Sequence, residues 1–320
     1  MKKITTILIL FVLTCTLISG SAFSFRSGKS SFEFLRLPVG ASNLALNQTN
    51  LGSIDNSLAG IINPARLIDI QGWDLRAGNS DWLMDMSYQY ASVGKRVSDE
   101  VGVMSLAVRN FSYGEFEYTK PWGYDVDPSE DGETFTGGAI VSTLAWGKKL
   151  TSSFAFGVSL NYGIETLEEY SMDNLWANVG FSYENEQFIK GLRLRFVAEN
   201  FAIGSTTYFE NSDATTLPLV MRYGLYWDVY TYKAHHFILE FNASQFKDQD
   251  IYFSAGLTYS FNSLIFLYAG YTSNQIYSPF SAGAGLKFQV AKMLWDATVA
   301  FNSTEQFDSY ITFEIGAMLF

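Results

Sequence analysis

A chain of 320 residues with 17% aromatic and 17% charged side chains is richer in rings and poorer in charge than ordinary soluble domains, which carry about 25% charged residues. Its formal net charge of -11 argues against nucleic acid as a partner, and its one cysteine, Cys15, lies in a stretch that export would remove, leaving no thiolate metal site and no cysteine nucleophile. Beyond the N-terminus no apolar run approaches the ~18 residues of a membrane helix, so a membrane location demands a barrel, the other fold that satisfies every backbone polar group in lipid.

The opening "MKKITTILILFVLTCTLISGSA" reads as a secretory signal peptide over residues 1–22. Lys2 and Lys3 form its positive end, Ile7 to Ile18 its apolar core, and Gly20 and Ala22 a cleavage site of small residues. Cys15 sits inside the apolar core behind Thr14, a poor lipidation context. Residues 23–71 have a different texture. Alternation is weak, "ASNLALN" and "DNSLAGIINPARL" read as short helical turns, Asp55 is a candidate N-cap, and Asn63-Pro64 is a stop signal. So long a segment with so many buried-type side chains is expected to be a packed plug rather than a linker.

From residue 72 onward period two dominates. Strands are predicted near 72–79, 82–93, 100–111, 134–147, 153–165, 173–184, 191–201, 217–229, 235–244, 250–260, 264–273, 281–290, 293–302 and 310–320. In "SFAFGVSLNYGIE", Phe154, Phe156, Val158, Leu160, Tyr162 and Ile164 alternate with Ser153, Ala155, Gly157, Ser159, Asn161, Gly163 and Glu165. A water-facing strand would carry Lys, Glu, Arg and Thr on its polar face; this one is small and nearly uncharged. The large set is therefore expected to meet acyl chains and the small set to face a filled interior. In the second strand Trp82, Met84, Met86, Tyr88 and Tyr90 are expected to face outward, opposite Asp85, Ser87 and Gln89. The six prolines avoid strand interiors, as a closed ladder requires. The expected class is all-β: a transmembrane antiparallel barrel of about 14 strands over 72–320, with the plug at 23–71, in the outer membrane of a Gram-negative bacterium.

Connections agree with that class. Short predicted turns carry Lys95, Arg96, Lys148, Lys149, Lys190, Lys233 and Lys292, whereas the long connections 112–133 and 202–216 are acidic. A soluble β-sandwich, the competing reading, gives no reason for connection parity to sort length and charge together. Asp85, Arg222, Asp228, Glu240 and Asp296 are expected to point into the lumen, with Arg36, Asp55, Arg66 and Asp69 of the plug as partners, forming an electrostatic latch or lining a hydrophilic conduit.

Chemistry is not expected. His235 and His236 are adjacent on a strand and point to opposite faces, so they cannot chelate one metal together. No Ser-His-Asp arrangement accompanies them, and "DVDPSEDGE" at 125–133 lacks the spacing of a calcium loop. No catalytic, cofactor or metal residue is assigned.

The N-terminal block "SGKSSFEFLRLPVGASNLAL" followed by "DNSLAGIINPARL" resembles that of the PorV/PorQ family of outer-membrane proteins, akin to the FadL-type fatty-acid transporter barrel, with PorQ the nearer likeness. Gly28, Lys29, Ser30, Phe34, Leu35, Leu37, Pro38, Asp55, Asn63, Pro64 and Ala65 stand at the shared places. "YGEFEY", "FGVSLNYGIETLEEYS" and "LPLVMRYGLYW" extend the likeness along the chain. One departure is Asn47-Gln48, where relatives usually carry a glycine pair. The resemblance implies an accessory of type IX secretion that holds or receives surface proteins through 112–133 and 202–216. The alternative is a FadL-like transporter of hydrophobic small molecules, which needs an inward kink in a strand beside an apolar pocket; Gly157, Gly163, Gly180, Gly224 and Gly256 are candidate kinks.

Overall fold

The computed structural model describes residues 30–83, 85–117, 134–184, 190–205, 216–247, 249–273, 279–303 and 309–320. These residues form fourteen strands: β1 Trp73–Asp81, β2 Ser87–Ser98, β3 Gly102–Glu117, β4 Thr134–Lys149, β5 Phe154–Leu167, β6 Tyr170–Glu184, β7 Leu192–Ser205, β8 Val220–Tyr232, β9 His235–Phe246, β10 Tyr252–Phe261, β11 Ile265–Thr272, β12 Phe280–Val290, β13 Met293–Asn302 and β14 Tyr310–Leu319. Each pairs with its sequence neighbours. β1 then pairs antiparallel with β14, from Trp73↔Leu319 to Asp81↔Ile311, and the sheet closes without an edge. The predicted signal peptide at 1–22 lies outside the described residues, as does most of 112–133 and of 202–216; β3 and β7 use the first residues of those two stretches.

β5 shows why the alternation exists. Leu160, Tyr162 and Ile164 are exposed on the outer surface, joined there by Leu106 and Val108 of β3, Ile140 and Leu144 of β4, and Phe313 and Ile315 of β14. In water so wide an apolar surface would aggregate; in a bilayer it is the solvated face. Placing an arginine at Leu160, midway along β5, is expected to lower barrel stability by about 2–4 kcal/mol. Urea unfolding in phospholipid vesicles checks this, with the lumen-facing Ser159→Thr as control. An L160R variant as stable as wild type would mean that this face does not meet hydrocarbon.

The inner face is small because another part of the chain presses against it. Residues 30–72 run along the lumen side of the strands, with two short helices, α1 (Ala41–Ala45) and α2 (Ala59–Ile62), and 3-10 turns at Glu33–Arg36 and Pro64–Asp69. A Cβ added at Gly157 would stand 2.2 Å from the backbone carbon of Pro64, and one at Gly256 would stand 2.1 Å from Thr49 Oγ1. Neither position has room for a larger residue. Phe34 stacks on Phe111 at 5.4 Å and meets Tyr88 edge-on at 6.1 Å, while Phe32 meets Trp176 at 5.7 Å. This aromatic cluster and Leu35, Leu51, Leu58 and Leu67 form the interior core.

Two points bear on the expectations. β2 starts at Ser87, and Trp82, Leu83, Asp85 and Met86 lie outside it, in the connection from β1. Tyr88 and Tyr90 face the lumen, fully buried, because the rings of residues 32–34 give them an apolar partner inside. Asp85 is accordingly not a lumen charge: it is an exposed turn residue at φ 61. The second point concerns Asn47 and Gln48, which take φ 51 and 65, the left-handed region that glycines would enter freely. That conformation costs roughly 1–2 kcal/mol per residue. Side-chain contacts offset it: Asn47 Nδ2 donates to Pro279 O at 3.1 Å, Arg222 donates to Gln48 Oε1 at 2.5 Å, and Asn242 Nδ2 donates to Gln48 O at 2.6 Å.

Candidate functional site: the lumen and a break in the wall

The wall holds the N-terminal segment chiefly by its backbone. Four wall carboxylates accept from four places along it: Glu165 from Phe32 N at 3.1 Å, Glu314 from Ala41 N at 2.8 Å, Asp74 from Ser57 N at 2.7 Å, and Glu240 from Gly52 N and Ser53 N at 3.1 and 3.0 Å. Ser53 Oγ adds a 2.6 Å bond to Glu240. At the other end of α1 the polarity reverses. Asn302 Nδ2 donates to Leu44 O, Ser281 Oγ to Ala45 O and Thr272 Oγ1 to Asn47 O. A five-residue helix cannot satisfy its own ends, and here the barrel supplies acceptors at one end and donors at the other.

Charge partners differ from the expected latch. Arg36 pairs with Glu33 of its own segment at 2.5 Å, and Arg66 pairs with its neighbour Asp69 and with Glu184 of β6 at 2.9 Å. Asp55 meets Lys287 of β12 at 3.3 Å. Enclosure alone would raise the Asp55 carboxyl; Lys287, Arg76 and Arg66 outweigh that and hold it below the usual range, whereas burial pushes Asp69 up. Arg222 is buried and ion-paired with Glu199 at 2.9 Å, Asp228 meets His236 at 2.9 Å near the short-turn end, and Asp296 is buried against Arg76. Around Arg76 three carboxylates converge: Asp74 through a fork at 2.9–3.2 Å, Asp296, and Glu314 at 3.8 Å. The sequence reading placed Glu165 on the inward face without a partner, and missed Asp74, Arg76, Arg109, Glu184 and Glu199. Their place on the small-residue face of otherwise apolar strands was the available signal. Of the resemblance motif, Phe34 and Leu35 are core residues, Pro38 and Leu37 line a pocket, Asn63 caps the turn that Pro64 begins through a 3.3 Å bond from Ala65 N, and Asp55 faces a cavity.

Two spaces flank the segment. Toward the short-turn end lies a cavity of about 580 Å³, lined by charged and hydroxyl groups including Asp55, Arg66, Arg193, His236, Lys287 and Asp296. Toward the other end lies a pocket of about 40 Å³, floored by apolar side chains of the N-terminal segment such as Leu35, Leu51 and Ile61 and walled by polar ones, Arg109, Asn178, Glu199, Asn200 and Arg222. It holds room for water and for nothing larger until side chains move.

The pocket abuts the β6–β7 pair, whose ladder slips twice midway along its strands, between Leu175 and Trp176 and between Ala177 and Val179; among the described residues the β2–β3, β3–β4 and β8–β9 ladders each slip once. Asn200 sits in the second slip at φ 66, its N–H turned to Asn178 Oδ1 at 2.8 Å. Among the described residues the β7–β8 ladder ends at Glu199↔Val220, just below that bulge, and Asn200 Nδ2 reaches across to Pro218 O at 2.9 Å. Asn178, Glu199 and Asn200 all line the pocket. The irregularity is therefore at an asparagine rather than at any of the five candidate glycines, which remain in regular ladder positions where the N-terminal segment presses close.

A closed barrel with an apolar outer face and a filled, polar-lined lumen is an outer-membrane protein of a Gram-negative bacterium. Most of the chain superposes on solved barrels of that kind. These include the Ralstonia pickettii toluene transporter TbuX (TM-score 0.57, 11% identity, 88% of this chain and 98% of that one), the Pseudomonas putida toluene transporter TodX (0.55, 11%, 88% and 98%) and a Pseudomonas aeruginosa FadL homologue (0.51, 10%, 88% and 98%). No protein-family model and no curated protein matches the chain. The FadL-type likeness thus stands at the level of the fold, and the expected role in type IX secretion does not: the solved barrels that 88% of the chain overlays include two toluene transporters and a FadL homologue.

Proposed function

We propose that the protein is an outer-membrane channel for hydrophobic small molecules, with residues 23–71 as its plug and the break beside Asn200 as its lateral entrance. On this reading residues 1–22 are the export signal, membrane lipid is the constant partner, and the protein carries no catalytic or cofactor site. The observation that carries the reading is the juxtaposition of a wall discontinuity with a small pocket that has an apolar floor. A hydrophobic solute dissolved in the outer leaflet would otherwise have to cross water to reach a lumen opening. At the Asn200 bulge the described β7–β8 ladder ends, while β7 stays paired with β6, and the pocket that Asn200 lines has leucine and isoleucine on its floor. Likeness of fold to toluene transporters supports the same reading.

Cells producing the protein should accumulate a labelled monoaromatic solute faster than cells without it. Leu35→Ala or Ile61→Ala widens the pocket and is expected to raise the rate, and Leu35→Trp to bring it down to the background. Uptake equal to the background in wild type, or indifferent to all three substitutions, would leave the reading without support.

A further inference from the structure

The lipid-facing wall is recessed across the seam where β1 meets β14. A trough of about 560 Å³ lies there, within the ~300–1,000 Å³ span of small-molecule sites. Its outward-facing lining is apolar throughout. Ala77 and Ala91, which pair across β1 and β2, and Ala317, which pairs with Leu75 of β1, make the floor. Trp295 and Ile315 rise on one side of it, Leu106 and Val108 on the other. Ala317 faces outward yet is 8% exposed, while Ile315 and Leu319 on the same face of its strand are 53% and 37% exposed. The floor is thus sunk below its surroundings. Arg76, Ser92, Ala107 and Gly316 border the trough from the lumen-facing set, because short alanines leave little more than one backbone layer there.

Leu75, Met293 and Trp295 carry the trough toward the short-turn end, the periplasmic side of such barrels. Just beyond them stands Lys95, paired across from Trp73, with its Nζ 4.5 Å over the indole ring. Tryptophan and lysine at that level mark the boundary between hydrocarbon and headgroups. Lys95 lies four residues from Ala91 on the same strand, about 13 Å at the rise of a strand. Half of a ~30 Å hydrocarbon core has about the same depth. Lys292 precedes Met293 and is exposed on the same rim, three strand spacings or about 14 Å away. Arg96 takes Asp99 at 3.0 Å, and among the described residues neither lysine forms an ion pair with Glu100 or any other carboxylate.

An occupant must therefore be apolar and narrow along the trough and negative at its periplasmic end. We propose that the trough binds one anionic glycerophospholipid of the periplasmic leaflet, with an acyl chain over Ala317, Ala77 and Ala91 and the phosphate on Lys95. Lys292 is too distant to share that phosphate closely and adds to the positive field. A zwitterionic headgroup would bring its own ammonium to two lysines already unmatched, whereas a net-negative one does not. A second copy of the chain fits less well: a two-fold interface across this seam would set Lys95 and Lys292 at the same height as their copies, like charge against like. The inference needs only the membrane-facing wall and is independent of the channel reading.

The test uses the mature protein in phosphatidylcholine vesicles containing a small fraction of phosphatidylglycerol, with bromine on the acyl chains of one lipid or the other at equal mole fraction. Bromine quenches indole emission at contact, and the emission lost in Trp295→Phe isolates the ring that borders the trough. Quenching of that component is expected to favour brominated phosphatidylglycerol about fivefold, the equivalent of about 1 kcal/mol for one lysine at a membrane surface. Lys95→Gln should cut the preference to about twofold or less. Ala77→Leu together with Ala91→Leu fills the floor and should bring quenching by phosphatidylglycerol down to that by phosphatidylcholine. Equal quenching by the two lipids in wild type would mean ordinary solvating lipid and overturn the site. A preference unchanged in K95Q or in the filled trough would place the lipid elsewhere and overturn it too. Trp295 quenched by neither lipid, in protein that cross-links as dimers, would show a second copy over the seam instead. Should the A77L/A91L pair fail to insert, wild type against K95Q decides.

Discussion

Replacing Arg76 by methionine is expected to destabilise the barrel by about 3–5 kcal/mol at neutral pH, the usual cost of removing one partner from a buried ion cluster. Arg76 is 4% exposed, and its guanidinium is shared by Asp74, Asp296 and Glu314, each itself buried. Without the cation, three carboxylates face one another in a space that water reaches poorly. Two of them also anchor the N-terminal segment, Asp74 through Ser57 N and Glu314 through Ala41 N, so the loss spreads from the β1–β14 seam into the lumen. Arg76→Lys should fall between, because an ammonium cannot fork onto Asp74 while reaching Asp296. Adding Asp296→Asn to R76M should recover part of the loss by removing one stranded charge, whereas D296N alone should destabilise; the sign reversal is the signature of direct coupling. Urea unfolding in vesicles measures all four. An R76M variant within about 0.5 kcal/mol of wild type would show that the cluster is not what holds the seam.

What the sequence revealed and what it hid follow from the same physics. Period two exposed every strand, and for β13 even the bounds 293–302, because alternation in a lipid-facing barrel is a consequence of geometry at each residue. It failed at β2, where Tyr88 and Tyr90 are apolar enough for either face. A ring facing acyl chains and a ring facing Phe34 look the same in one dimension, so the reading slipped by one residue and carried Asp85 with it. The wall break was sought at glycines, since glycine enters left-handed backbone freely. Asparagine does so too, and Asn200 has both Asn178 and Pro218 to hold it there. Glu240 and Asp296 were read as inward, but their partners could not be: every residue carries a backbone N–H, and no residue type announces that Gly52 and Ser53 will donate theirs. Arginines were the visible candidates for the lumen carboxylates, and the fold spent Arg36 on Glu33 instead.

That difference separates two pictures of how the N-terminal segment is held, and conductance distinguishes them. Glu240 is 1% exposed and accepts three hydrogen bonds from Gly52 and Ser53 beside the cavity of about 580 Å³. Glu240→Ala removes all three and strands two backbone N–H groups, at about 1–3 kcal/mol for each buried donor left without a partner. Residues 50–56 should then detach from β9, joining the cavity to the space above it. Single-channel conductance in planar bilayers is expected to rise, and amide exchange over 50–56 to quicken, while the far side of the segment near Phe34 keeps its protection. Glu240→Gln retains one carbonyl acceptor for the two N–H groups and should lie between. Arg36→Ala, by contrast, should leave conductance unchanged, because its charge is matched within the segment and its guanidinium packs over Phe246 at 4.7 Å. A conductance that climbs in R36A and stays level in E240A would reverse the order, and the segment would then be held by its cations rather than by its peptide groups.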